Sequence, residues 1–110
     1  MVEQLLTEAI QRFNKKVDED KKLEEELSGF RKIVQVEVED GQWYHFILEN
    51  AHVQQLNKGG VDSPDIRVIA SAETLTKLWS GELRVMKAYA TRKIQIKGSI
   101  EDLLRLRKFF

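Results

Sequence analysis

The chain has 110 residues, 42% of them hydrophobic and 33% charged, with a formal net charge of +0. That balance fits one folded domain over residues 1–110 and argues against a disordered chain or a dedicated nucleic-acid binder. The absence of cysteine excludes disulfides and thiolate metal sites, and no apolar run approaches the roughly 18 residues of a membrane-spanning helix.

The first element is a predicted helix over residues 2–27. Val2, Leu5, Leu6, Ala9, Ile10, Phe13 and Val17 recur at helical spacing and form one apolar stripe. The acid- and lysine-rich stretch Asp18 to Leu27 reads as its solvated continuation, and Ser28-Gly29 ends it. Nothing near the start resembles a secretory signal, and the end carries no peroxisomal Ser-Lys-Leu address, so a cytoplasmic location is expected.

A strand follows, with Val34, Val36 and Val38 on one face and Gln35, Glu37 and Glu39 on the other. Asp40-Gly41 predicts a short hairpin turn, because both residue types accept positive φ. The next strand, Trp43 to Leu48, is apolar on both faces. Trp43, His45 and Ile47 are expected to join the valines on the inner face, and Tyr44, Phe46 and Leu48 to face outward. A short strand is predicted at 52–56 and a loop at 57–64, with Gly59-Gly60 and Pro64 as punctuation.

Residues 65–70 alternate as a strand. Ser71 then caps a helix running to about Trp79, which Ser80-Gly81 breaks. A further helix is expected from about Glu82 to Thr91, with Leu83, Met86 and Tyr89 on one face. Lys93 to Lys97 is an alternating strand closed by Gly98. Ser99 to Asp102 is close to a capping box and opens a last helix through Leu103, Leu104 and Leu106. The expected fold class is α+β: a single, mostly antiparallel five-stranded sheet with helices packed on one face.

Several of these segments resemble the sterol carrier protein 2 family. They are Asp65-Ile66-Arg67-Val68 leading into Ser71-Ala72-Glu73-Thr74-Leu75, Leu78-Trp79-Ser80-Gly81-Glu82-Leu83, Met86-Lys87-Ala88, and Ile94-Gln95-Ile96-Lys97-Gly98, with Trp43 placed after a hairpin turn. The resemblance covers roughly residues 30–108 and departs at Arg92, where many members have glycine just before the last strand. It implies a non-catalytic module holding a lipid or fatty-acyl ligand between sheet and helices. The implied wall comprises Val34, Val36, Val38, Trp43, His45, Ile47, Ile66, Val68, Leu75, Leu78, Trp79, Leu83, Met86, Tyr89, Ile94 and Ile96.

An apolar ligand needs burial rather than directional contacts, and such a lining supplies it at roughly 25 cal/mol per Å². Packed side chains at the same spacing would equally make a filled interior, leaving an interaction domain that acts through dimerisation or a partner protein. His45 and Tyr89 are the polar groups expected at the wall, and His45 could orient a hydroxyl or carboxylate. No nucleophile, phosphate loop or metal-ligand pattern nominates a reaction, so no enzyme activity and no cofactor are expected. The outward group Tyr44, Phe46 and Leu48 predicts either a homodimer interface or cover by the N-terminal helix. Residues 84–108 hold 8 bases against 2 acids, a basic end suited to peripheral contact with an anionic membrane surface.

Overall fold

A computed structural model describes residues 2–99, 101 and 102. The expected last helix through Leu103, Leu104 and Leu106 lies outside the described residues, as do Arg105, Arg107 and Lys108. The elements run α1 (Val2–Glu19), α2 (Lys21–Leu27), β1 (Arg31–Val38), β2 (Trp43–Glu49), β3 (His52–Val53), β4 (Asn57–Lys58), β5 (Ile66–Ala70), α3 (Ala72–Ser80), α4 (Val85–Ala90) and β6 (Ile94–Gly98). Among the described residues no helix is long and apolar enough to cross a membrane.

The single expected N-terminal helix is two. Asp20 leaves the helical conformation at φ −126° and ψ 94°, and its side chain caps α2 by accepting from the Leu23 backbone N–H at 3.1 Å. A short carboxylate that can satisfy an orphan donor competes with continuing the helix. The break turns Leu23 and Leu27 inward, where Leu27 is fully buried.

The sheet order is β3-β2-β1-β5-β6, and β4 also pairs along β2. Among the described residues only the central pair β1–β5 is parallel; the other pairings are antiparallel. Residues 52–58 therefore run back along the edge of β2, paired at His52–Val53 and Asn57–Lys58 and unpaired between. The predicted strand at 52–56 and the start of the predicted loop thus share one interrupted strand.

Neighbouring side chains across a pair share a face. Val34, Val36 and Val38 lie level with Ile66, Val68 and Ala70, and these last two with Ile96 and Ile94. This face carries the helices. Val2 and Leu6 of α1, Leu75 of α3, Leu83 and Ala88 pack on Val36, Val38, Tyr44, Ala70 and Ile94. A second cluster joins Val17 to Leu23, Leu27, Phe30, Leu48, Ala51 and Val53. Phe46 touches both clusters, so α1 is anchored along its whole apolar stripe. Asn14 adds a directional tie: its amide donates to the Val53 carbonyl at 2.7 Å and accepts from the Val53 N–H at 2.9 Å. The side chain thereby occupies the backbone groups of an edge strand.

The helix ends around α3 follow the sequence. Ser71 Oγ accepts from the Thr74 N–H at 3.0 Å, and Gly81 closes the helix in the left-handed region at φ 85°. The following helix starts at Val85, later than expected, because the chain first turns back to give the Leu83 N–H to the Lys77 carbonyl at 3.2 Å.

Candidate functional site

The space between the sheet and its helices is walled by much of the set expected from sequence. Val36, Val38, Val68, Ile94 and Ile96 come from the sheet, and Leu75, Leu78 and Leu83 from the helical side. Val34 and Ile66 are buried on the same face. Trp79 is half-buried, with the Arg12 guanidinium 3.9 Å from its ring centroid.

Three expected wall residues lie on the other face. Trp43 stands opposite Glu37, His45 opposite Gln35 and Ile47 opposite Ile33, whereas Tyr44 and Phe46 stand opposite Val36 and Val34. The cause is the β1–β2 turn. Gly41 N–H bonds the Val38 carbonyl at 3.0 Å and Val38 N–H bonds the Gln42 carbonyl at 2.9 Å, with positive φ at Gly41 (99°) but not at Asp40. The loop is thus a turn closed by a glycine bulge, one residue longer than a two-residue turn. One residue of slip moves every side chain of β2 to the opposite face.

Tyr44 and Leu48 are accordingly buried, and Phe46 partly so, beneath the helices of the same chain. Of the two expectations for this trio, cover by the N-terminal helices is the one the packing matches. No second copy is needed to bury them. Met86 and Tyr89, expected at the wall, are instead 56% and 50% exposed, because α4 turns Ala88 inward as its buried anchor.

The far face of the sheet holds a polar cluster that the strand alternation does not reveal. Glu37 is only 6% exposed and Gln35 only 2%, although strand alternation sets both apart from the valine face. Arg67 grips Glu37 through two hydrogen bonds, Nη2 to Oε1 at 2.9 Å and Nε to Oε2. Gln35 donates to Glu37 at 2.8 Å and accepts from the Val61 N–H at 2.8 Å. His45 Nδ1 donates to the Gly59 carbonyl at 2.9 Å, and the Gly59 N–H bonds the Trp43 carbonyl at 2.7 Å. A Cβ on Gly60 would come within 2.7 Å of the Trp43 ring and 2.9 Å of Gln35 Oε1, so only glycine lets the loop lie this close. The Arg67 guanidinium, more than offsetting burial, holds the Glu37 carboxyl below the usual carboxylate range. Three donors hold this carboxylate, and its lowered pKa makes it a weaker base than an ordinary carboxylate.

Among the described residues one grouping has metal-ligand chemistry: Asp18, Glu24 and His52 bring ligand atoms within 4.8 Å of one another. His52 Nε2 lies 2.7 Å from Asp18 Oδ1 and Nδ1 lies 3.2 Å from the Asn50 carbonyl. Both ring nitrogens thus face acceptors, an arrangement the imidazolium satisfies with its two protons. The Asp18 hydrogen bond, with that from Asn50, raises the His52 pKa above its ordinary value. The spacing of His45 and His52 gives no hint of this, since Asp18 is 34 residues away. An open hollow on α1 is walled by the hydrophilic residues Glu3, Gln4, Thr7, Glu8 and Gln11, and its open shape offers an apolar ligand little burial.

An α+β protein with helices on one face of a largely antiparallel sheet, and apolar side chains between the layers, is the class that this architecture defines. The SCP-2 sterol transfer family profile matches residues 10–110. The chain belongs to that family.

Solved structures share the fold. Sterol carrier protein 2 like 2 from Aedes aegypti superposes with a TM-score of 0.63 at 19% identity, covering 100% of both chains. The ubiquinone synthesis protein UbiJ-SCP2 gives 0.67 at 19% identity, over 96% of this chain and 89% of that one. A double mutant of the sec-alkyl sulfatase PisA1 gives 0.64 at 17% identity, over 77% of this chain but only 14% of the sulfatase. The same fold therefore stands nearly alone in some proteins and as a small part of a larger enzyme in another. No curated protein matches the sequence.

Proposed function

We propose that residues 1–110 act as one non-catalytic carrier domain in the cytoplasm, holding a lipid-like apolar ligand (a fatty acid, acyl chain or sterol-like molecule) between sheet and helices. The observation that carries this reading is the apolar continuity of the interlayer. Val36, Val38, Val68, Leu75, Leu78, Leu83, Ile94 and Ile96 converge there in one apolar cluster. Family membership supports the same reading, since the family takes its description from sterol transfer. Of the buried polar residues among those described, Gln35 and Glu37 sit on the opposite face, Thr74 bonds Ser71 and Asp102 pairs with Lys32, and every buried side-chain polar atom has a partner.

The His45 role is revised accordingly. On the far face and bonded to Gly59, it is not proposed to orient a ligand within the interlayer. The register favours one competing reading: Tyr44 and Phe46 bring two aromatic rings to the helix-facing side, and these can fill the space themselves. Titration with a fluorescent acyl probe separates the two. Carriage predicts saturable binding that Val68→Trp, by filling the interlayer, reduces at least about tenfold if the variant folds. Ile96→Trp is the second variant. A wild-type protein that takes up no probe would favour the filled interior.

A further inference from the structure

We propose that the solvent face of α4 is the surface by which this protein docks on anionic bilayers. The inference rests on the carrier reading above, because a lipid carrier must meet a bilayer to load or release its cargo. Helix α4 spans only Val85–Ala90 and holds itself to the core through Ala88, which is wholly buried. Its other side presents Met86 and Tyr89, two of the three large apolar side chains left exposed among the described residues. At spacing i, i+3 they adjoin on the helix surface. A flexible thioether and a ring with a polar tip suit the boundary between headgroups and acyl chains.

Four cations frame this pair. Arg84 precedes the helix, Lys87 lies on it, and Arg92 and Lys93 follow it; all four are exposed. Among the described residues none of the four side chains is held in an ion pair, unlike Arg31, Lys32, Lys58, Arg67 and Lys77. From Arg84 to Ser99 the sequence has five bases and no acid, while residues 1–40 hold 11 acids against 7 bases. With a net charge of +0 the bases are therefore concentrated in this stretch of sequence, and a local excess of exposed cations is drawn to a negative surface. Charge brings the patch to the membrane and Met86 with Tyr89 hold it there, the two-part attachment expected of interfacial binding.

Co-sedimentation of the full chain with vesicles tests this, comparing pure phosphatidylcholine with a mixture containing roughly one third phosphatidylglycerol. The docking surface predicts partitioning onto the anionic vesicles that is about tenfold stronger and weakens with added salt. Lys87→Glu with Lys93→Glu abolishes the preference. Met86→Ser with Tyr89→Ser lowers partitioning several-fold at unchanged charge. Tyr89→Trp shows a blue-shifted emission with anionic vesicles only. Equal binding to both vesicle types overturns the proposal. So does binding indifferent to the Met86 and Tyr89 changes, which would indicate a charge-only contact with an acidic partner. A concentration-dependent dimer that those changes dissolve would show that a second copy covers the patch, and overturns it too. The acyl-probe titration without vesicles keeps the two ideas apart. Lys87→Glu with Lys93→Glu leaves probe binding intact, so docking without probe uptake removes the carrier reading alone, and probe uptake without docking removes the surface alone.

Discussion

Glu37 stands directly opposite Trp43 across the β1–β2 pair, and this one pairing sets which side chains of β2 reach the interior. Trp43 is 43% exposed as a result, while its neighbour Tyr44 is buried among the helices. Truncation distinguishes the two positions. Tyr44→Ala removes a buried ring and its hydrogen bond to Gln42, and should cost about 3–5 kcal/mol in urea denaturation. Trp43→Ala should cost about 1 kcal/mol, as it removes only half-covered surface beside Gly60. The reverse ranking would mean that the register is wrong by one residue.

Arg92 takes φ 62° immediately before Lys93 and β6. A left-handed conformation burdens any residue with a Cβ by roughly 1–2 kcal/mol, and glycine adopts it freely. The sequence resemblance leads one to expect glycine here, and a glycine would keep the same turn without that burden. Arg92→Gly should stabilise the protein by about 0.5–1 kcal/mol, the strain relief less the added freedom of the unfolded chain. A lowered melting temperature would show that the arginine side chain contributes more than its backbone costs.

Glu37 links stability to acid. Its folded pKa lies below its ordinary value of 4.5, chiefly because of the Arg67 hydrogen bonds. The pair's contribution is therefore complete above pH 4.5 and is lost as the pH falls through the folded value. Thermal unfolding between neutral and acid pH should show wild type losing stability below pH 4.5 more steeply than Glu37→Gln, which carries no such proton linkage. Parallel profiles for the two proteins would contradict the assignment.

His52 has the opposite sign. Asp18 raises its pKa above 6.5, so the clasp between the end of α1 and β3 is complete below that value and is lost as the pH rises through the folded pKa. Both groups are substantially exposed, so the effect on global stability is small. The direct observable is the ring titration by proton NMR. Asp18→Asn should bring the His52 midpoint down toward 6.5, and a midpoint unmoved by that change would remove the pairing.

How much of this was legible in the sequence differs by range of interaction. The stripe from Val2 to Val17, the Ser71 cap, the Gly81 stop and the alternation of β6 are all local, and each is found as expected. The face of β2 was not legible because both of its faces are apolar, so alternation cannot choose between them and turn length decides. One signal pointed the right way: β1 is polar at Gln35 and Glu37, and only the Trp43–His45 face of β2 offers ring nitrogens to accompany it. The burial of Glu37 depends on Arg67, 30 residues on, and on the backbone at Val61. The outward turn of Met86 and Tyr89 follows from a helix of 6 residues anchored by a small residue, for which apolar spacing alone names no inner face.

The central claim is that the apolar interlayer carries a lipid. Native mass spectrometry of protein purified without detergent tests it most directly. Carriage predicts a population of the 12.8 kDa chain bearing one additional mass that collisional activation releases as a fatty acid or another lipid. A single bare mass, unchanged after incubation with fatty acids or sterols, would contradict it and leave the interlayer as packed core.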